Sequence, residues 1–324
     1  MSNKLKVSLS PHVHSGDSVR RNMDWVIIAL LPAMLWSFYV FGWGALIVTL
    51  TSVASCMLFE WAINKYILKN DKPSLADGSA IVTGLLLAFN LPSNLPLYII
   101  IMGALFAIGV GKMSFGGLGN NIFNPALLGR VFLLISFPVK MTTWPEPHQH
   151  TAYADAVTGA TPLADLQSAN LGDLFFGNIG GSLGEVSALL LLVGFVILLL
   201  RKVISWHIPV SYIATVALLT CLFPRYGAGN VDWMLYNVLG GGLMLGAFFM
   251  ATDYATSPVT KKGQLIFGVG CGLFTVLIRY FGGYNEGVCY SIMVMNLFVA
   301  LIDKYTKPAR FGVVKTEKKE AGAQ

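Results

Sequence analysis

The chain has 324 residues, of which 55% are hydrophobic and only 12% charged. Soluble domains carry about 25% charged residues, so this composition leaves too little polar surface for a globule in water. The net charge of +6 does not mark a nucleic-acid partner, because the basic residues sit at the ends of apolar runs and form no continuous face.

The first 22 residues are polar, carry Lys4, Lys6, Arg20 and Arg21, and hold no short apolar core. No cleavable signal peptide is expected, and the first membrane helix directs insertion. A membrane-spanning helix needs about 20 apolar residues. Candidate spans follow at Met23–Phe41, Trp43–Ile67, Ala76–Leu91, Leu95–Lys112 and Asn121–Phe137. A second set occupies Leu183–Leu200, Ile208–Phe223, Trp233–Thr252, Gly263–Phe281 and Tyr284–Asp303. The fold class expected is therefore an all-α integral membrane protein of about ten transmembrane helices.

With the amino terminus in the cytoplasm, alternating spans collect Lys65, Lys69, Lys72, Lys112, Arg201, Lys202, Lys261 and Lys262 on the cytoplasmic side, together with the basic tail. The far side receives only Lys140, Arg225 and Arg279, and Arg130 falls inside a span. This asymmetry obeys the positive-inside rule and places both termini in the cytoplasm. Five regions result: a cytoplasmic amino-terminal segment (1–22), a first five-helix repeat (23–137), an extracytoplasmic loop (138–182), a second five-helix repeat (183–303) and a cytoplasmic tail (304–324).

The two halves resemble each other. Gly84 to Asn90 leads, after one span, to Phe115-Gly116-Gly117, and Gly246 to Asp253 leads similarly to Phe281-Gly282-Gly283. Five spans on either side of the loop make the copies inverted, a pattern that places sites at the repeat interface. Polar groups in the spans, among them Arg130, Asn124, Asp253, Arg279 and Glu286, are costly in hydrocarbon and face a cavity, a partner or one another. Helix starts at Asn121 and Tyr284 would direct positive dipole ends at an anionic ligand.

The four cysteines, Cys56, Cys221, Cys271 and Cys289, lie in apolar runs without a CxxC, which argues against disulfides or an iron–sulfur cluster within this chain. His148 and His150 are too weak a pair to mark a metal, and no metal is expected. No nucleotide-binding loop is present. Within the long loop, Asp155-Ala156-Val157-Thr158-Gly159-Ala160-Thr161-Pro162 stands out. Gly159 and Ala160 permit close approach of another backbone, and Pro162 drives Thr161 towards an extended conformation. Such a hydroxyl suits covalent modification, although on the bare spacing an ordinary glycine-containing turn is the favoured reading.

This segment resembles the flavinylation motif Asp-x-x-Ser/Thr-Gly-Ala-Thr. The resemblance implies Asp155 as the motif acid, Thr158 as the Ser/Thr, Gly159 and Ala160 as the small pair, and Thr161 as the acceptor of FMN through a phosphoester bond formed by a flavin transferase. Beyond the loop, Leu9-Ser10-Pro11-His12, Ala29-Leu30-Leu31-Pro32-Ala33, Asp77-Gly78-Ser79-Ala80, Asn121-Ile122-Phe123-Asn124-Pro125-Ala126 and Ala251-Thr252-Asp253 resemble the D subunits of Rnf electron-transport complexes. A related family is the B subunit of sodium-pumping NADH:quinone oxidoreductase, whose amino-terminal region tends to be longer.

The resemblance implies a subunit, not catalytic alone, of an ion-translocating ferredoxin:NAD oxidoreductase in the cell (inner) membrane. It implies covalent FMN as cofactor, a second non-covalent flavin such as riboflavin, and the other subunits of the Rnf membrane complex as partners. A solute channel or transporter is the competing reading that the inverted repeat alone would support.

Overall fold

The computed structural model describes residues 17–69, 74–149, 153, 156–159, 170–185, 187–225, 229–282 and 287–308. Thirteen α-helices carry nearly all of the regular structure among the described residues, and the sole sheet there is a two-residue antiparallel hairpin.

α1 (Val19–Phe41) starts at Ser18, whose side chain accepts a hydrogen bond from Arg21 N. Such a hydroxyl cap satisfies one of the orphan amides of the first turn. The chain reverses at Gly42 into α2 (Trp43–Ala62), which a π turn extends to Ile67. α3 (Ser79–Phe89) is short, and α4 (Leu97–Leu105) continues through a π segment to Lys112 and a 3-10 turn to Phe115. α5 (Pro125–Ser136) ends the first half, with proline at its first position, where the missing N–H costs nothing.

Two short helices, α6 (Pro138–Met141) and α7 (Leu171–Phe176), lie in the connecting region with β1 (Trp144–Pro145) and β2 (Thr158–Gly159). α8 (Ala188–Leu200) and α9 (His207–Leu222) follow. α10 (Asn230–Leu239) and α11 (Leu243–Leu245, extended as a π segment to Met250) meet at a 59° bend. α12 (Lys261–Phe281) and α13 (Val288–Thr306) complete the bundle.

Among the described residues five helices are long and apolar enough to cross a membrane, six if the bent α10–α11 pair is one span, and four shorter apolar helices accompany them. Leu35, Leu50, Leu58, Leu218, Leu222 and Leu301 are among the large apolar side chains left exposed on these helices. That is the surface of a multi-pass membrane protein, where lipid takes the place of a covering layer.

The helix contacts fall into two similar sets. α2 packs on α3 and α4, and α9 packs on α10 and α12. Between the sets, α1 packs on α8 and α5 on α13. The α1–α8 contact depends on Gly194, since a Cβ there would come within 2.3 Å of Ala29 O. Small residues at such crossings let helix backbones approach without a hydrophobic driving force.

The continuous span expected at Trp233–Thr252 is broken. Gly241 and Gly242 both adopt positive φ, +66° and +68°, which ends α10 and turns the chain into α11. Hydropathy is blind to this, because glycine counts as mildly apolar while permitting the left-handed backbone. The helix start expected at Asn121 lies later, at Pro125, with Asn124 as its cap. The start expected at Tyr284 lies outside the described residues, and among them α13 is helical from Val288.

Candidate functional site

The hairpin forms because Trp144 pairs with Gly159 and Pro145 with Thr158. Three further bonds lengthen it: Glu146 N donates to Val157 O at 3.0 Å, and Gln149 clamps Val157 from both sides. In that clamp Gln149 Nε2 donates to Val157 O at 2.9 Å, and Val157 N donates to Gln149 Oε1 at 2.7 Å. The hairpin is fastened to the bundle at the carboxyl end of α1, where His148 N donates to Val40 O at 2.8 Å. The His148 ring meets Asn178 Oδ1 at 2.6 Å. Tyr153 OH donates to Leu95 O beyond α3, and burial pushes its phenol above its ordinary pKa.

The same end of the bundle, here the hairpin end, receives the chain that enters α8. Leu183 N donates to Leu91 O at 3.2 Å and Gly184 N to Phe89 O at 2.8 Å. Of the expected motif, Thr158 and Gly159 lie exposed on β2, while Asp155, Ala160 and Thr161 lie outside the described residues. The face of Gly159 lies against Glu146, whose Oε1 would be 3.3 Å from an added Cβ. Both described motif residues are thus open to solvent, as a site approached by another protein requires.

A second polar constellation runs between the halves. Arg130, on α5 and 3% exposed, donates from Nη1 to Asn90 Oδ1 at 2.6 Å and lies 3.8 Å from Glu185 Oε1. Asn90 Nδ2 donates to Leu86 O at 2.6 Å and faces Met250 Sδ at 3.6 Å. Cys289 Sγ lies 3.9 Å from Asn90 Oδ1. Four elements, α3, α5, the π segment of α11 and α13, therefore converge around one amide, and Glu185 in the approach to α8 joins through Arg130.

Near it, Asn124 Oδ1 accepts from Ala126 N at 3.0 Å, capping α5, while Nδ2 donates to Met250 O at 3.2 Å. One side chain thus satisfies an orphan donor at one helix start and an orphan acceptor at another segment's end.

At the opposite end, Lys112 Nζ lies 2.5 Å from Glu60 Oε2 and 2.6 Å from Ser79 Oγ, with both charged side chains at most 2% exposed. Ser79 Oγ donates on to Asp77 Oδ1 at 2.5 Å. A cavity of ≈ 80 Å³ opens beside this network, lined in part by Lys112, Asn121, Asn124, Phe249 and Asp253. Among the described residues Asn121 Oδ1 is buried without a hydrogen-bond partner, and Asp253 Oδ2 accepts from Thr256 Oγ1 at 3.0 Å.

Arg279, on α12, closes the break in the α10–α11 pair. Its Nη1 donates to Asn237 O at 2.6 Å, and Nη2 donates to Gly240 O at 3.2 Å and Gly241 O at 3.1 Å. These are carbonyls that the glycine turn would otherwise leave unpaired, and a cation there also complements the α10 dipole.

Of the intramembrane polar residues expected to matter, Arg130 and Asn124 join the inter-half network, Asp253 lines the cavity, and Arg279 holds the break. Glu286 lies outside the described residues. Sequence reasoning missed Asn90, Glu60 and Glu185 as network members. Asn90 was legible as an amide at the end of an apolar run, and Glu60 as the one acid inside its span. The four cysteines are free thiols, three of them buried. Among the described residues no group of three or more His, Cys, Asp or Glu is arranged to hold a metal. His148 is engaged with Asn178, and His150 lies outside the described residues.

Residues 6–312 match the model of the NQR2, RnfD, RnfE family. The chain is 47% identical, over 98% of its own length and 98% of the relative's, to the D subunit of the Na(+)-translocating ferredoxin:NAD(+) oxidoreductase complex of Acetobacterium woodii. It is 43% identical to the D subunit of the proton-translocating ferredoxin:NAD(+) oxidoreductase complex of Clostridium ljungdahlii, over 96% and 97% of the two chains. It is 36% identical to the D subunit of the ion-translocating oxidoreductase complex of Escherichia coli K12, over 95% and 98%. With a family model spanning almost the whole sequence and relatives this similar end to end, the chain belongs to the NQR2, RnfD, RnfE family.

Proposed function

We propose that this chain is the D-type membrane subunit of an Rnf-type ferredoxin:NAD oxidoreductase complex. In this reading it relays electrons through an FMN held by a phosphoester on Thr161 and helps couple electron transfer to Na+ or H+ translocation. The names of relatives at 47% and 43% identity, one sodium- and one proton-translocating, support the complex and leave either ion open. The observation that carries the flavin is the motif run Asp155 to Thr161, which passes through an exposed strand clamped to one end of a membrane bundle.

Bound FMN supplies one-electron redox chemistry, and the redox step belongs to the cofactor. The chain's own contribution is placement. Thr158 and Gly159 are held in register by Trp144 and Pro145, Gln149 fixes Val157 just before them, and His148 ties the hairpin to α1. Asp155 and Ala160 complete the recognition run for a flavin transferase. A relay needs a fixed distance to its neighbours, and a covalent tether on an anchored hairpin serves that need.

In the same proposal the hairpin end is extracytoplasmic, both termini are cytoplasmic, and the ten spans form two inverted five-helix repeats. The matched packing of α2 on α3 and α4 with α9 on α10 and α12 supports the repeat. So do the contacts of α1 with α8 and α5 with α13, which join first to first and last to last. Lys65, Arg201, Lys261 and Lys304 at the opposite end, against few cations at the hairpin end, support the orientation. The same reading includes a second, non-covalent flavin such as riboflavin, which the ≈ 80 Å³ cavity at the opposite end is too small to hold.

The test is in-gel fluorescence of the denatured chain, produced with its transferase. A fluorescent band that Thr161→Ala abolishes supports the reading, and fluorescence retained in that variant moves the attachment elsewhere. No adduct in the wild-type chain would favour a solute channel or transporter, which needs no modified threonine.

A further inference from the structure

A second, larger hollow lies on the outside of the bundle, away from both polar networks. Where α9 ends and α12 ends, their side chains leave a groove of ≈ 570 Å³ lined by Leu219, Leu222, Phe223, Leu273, Leu277 and, at its mouth, Arg225. Leu222, Phe223 and Leu277 are 60%, 61% and 42% exposed, so the groove faces outwards, into what is hydrocarbon for a membrane bundle. Leu273 to Phe281 is eight helical steps, roughly 12 Å at about 1.5 Å per step. That is close to the depth of one leaflet, half of a ~30 Å hydrocarbon core.

The mouth of the groove is polar and aromatic. Arg225 donates from Nη1 to Tyr280 O at 2.6 Å, and its guanidinium lies 4.3 Å from the centre of the Tyr280 ring and 5.5 Å from that of Phe281. Tyr280 OH donates to Phe223 O at 2.6 Å and accepts from Trp233 Nε1 at 2.7 Å. Trp and Tyr with such polar tips mark headgroup level. No carboxylate of the described residues forms an ion pair with Arg225. A guanidinium carries five N–H donors in a fork suited to phosphate. The bond to Tyr280 O uses one of them and accounts for a helix cap. It does not account for the groove beneath, nor for a cation at the end of the bundle that has few.

We propose that this groove is a binding site for an anionic phospholipid, one acyl chain lying between α9 and α12 and the phosphate resting on Arg225. Charge complementarity selects the headgroup, and the apolar wall takes the chain without selecting it. Trp233 and Tyr280 hold the guanidinium at the level of the phosphate. The site would fasten the bent α10–α11 pair to lipid, because Trp233 lies on α10.

The intact complex, delipidated in detergent and titrated with dioleoylphosphatidylglycerol or dioleoylphosphatidylcholine, is read by native mass spectrometry. The wild type is expected to bind the glycerol lipid about tenfold more tightly than the choline lipid, which offers the same phosphate but adds a trimethylammonium cation that Arg225 repels. Arg225→Gln is expected to erase that preference while keeping chain binding, and Arg225→Lys to retain part of it. Leu273→Trp, which fills the groove, is expected to remove both adducts. An unchanged preference in Arg225→Gln overturns the proposal. So does a cross-link from Leu277→Cys to another subunit, which would show a protein helix in the groove.

Discussion

Lys112 Nζ sits 2.5 Å from Glu60 Oε2, joining the end of α4 to α2 where neither side chain meets solvent. Removing one member of a buried pair leaves an uncompensated charge, at a cost of roughly 3–5 kcal/mol. Glu60→Leu alone is therefore expected to lower the thermal unfolding midpoint of the purified protein sharply. The double variant with Lys112→Leu is expected to recover most of the loss. If the double variant is as unstable as the single one, the pair contributes through packing rather than charge.

The break between α10 and α11 depends on one guanidinium. Arg279→Leu removes the donors that reach Asn237 O, Gly240 O and Gly241 O. Leaving such carbonyls unpaired costs about 1–3 kcal/mol each, less whatever the turn recovers by relaxing. The expected outcome is increased proteolysis at 240–242 and a lowered midpoint, with Arg279→Lys intermediate. Equal protease sensitivity in all three proteins would remove the guanidinium from this role.

Gly242 occupies a backbone with φ +68°, and an added Cβ would stand 2.5 Å from Glu185 Oε1. Gly242→Ala therefore meets both backbone strain and a clash, for which about 1–3 kcal/mol is expected. Glu185 also lies 3.8 Å from Arg130, so the push is transmitted to the inter-half network. Combining Gly242→Ala with Arg130→Gln is expected to give less than the sum of the separate losses, because the two sites share Glu185. Thermal midpoints of the two single variants and the double variant check this, and strict additivity would argue against the coupling.

The Gln149 clamp fixes Val157 immediately before Thr158 and Gly159 of the proposed flavin motif. Gln149→Ala removes both bonds, and each such bond is worth about 1 kcal/mol. Slower flavin attachment is expected, measured as the time course of fluorescent labelling by the transferase, with the same end point as wild type. A time course identical to wild type would show that the transferase accepts the motif without the clamp.

Much of the bundle was legible in the sequence, because long apolar runs leave few alternatives. Trp43–Ile67 was read to the residue, and α1 differs from its expected span only by one further turn at Val19. Where backbone geometry rather than hydropathy decides, the reading failed. The triple glycine Gly240-Gly241-Gly242 breaks a run that hydropathy scores as one span. Asn124 and not Asn121 caps α5, since a proline at the next position fixes the helix start.

Pairing was the other gap. Arg130 and Arg279 were visible as costly charges, but their partners lie 38 to 55 residues away, and no local pattern joins them. The hairpin was likewise not foreseen. β1 and β2 have only two residues each, too few for alternation to register. Thr158 and Gly159 were singled out as chemistry, and they turn out also to form the strand that pairs with Trp144 and Pro145.

Everything proposed for the flavin rests on one hydroxyl, and the intact mass of the chain, purified after co-production with its transferase, tests it most directly. A mass raised by one FMN less one water is predicted in the wild type, with the adduct mapped to the Thr161 peptide and absent from Thr161→Ala. An unmodified wild-type mass, or an adduct that survives Thr161→Ala, would contradict it.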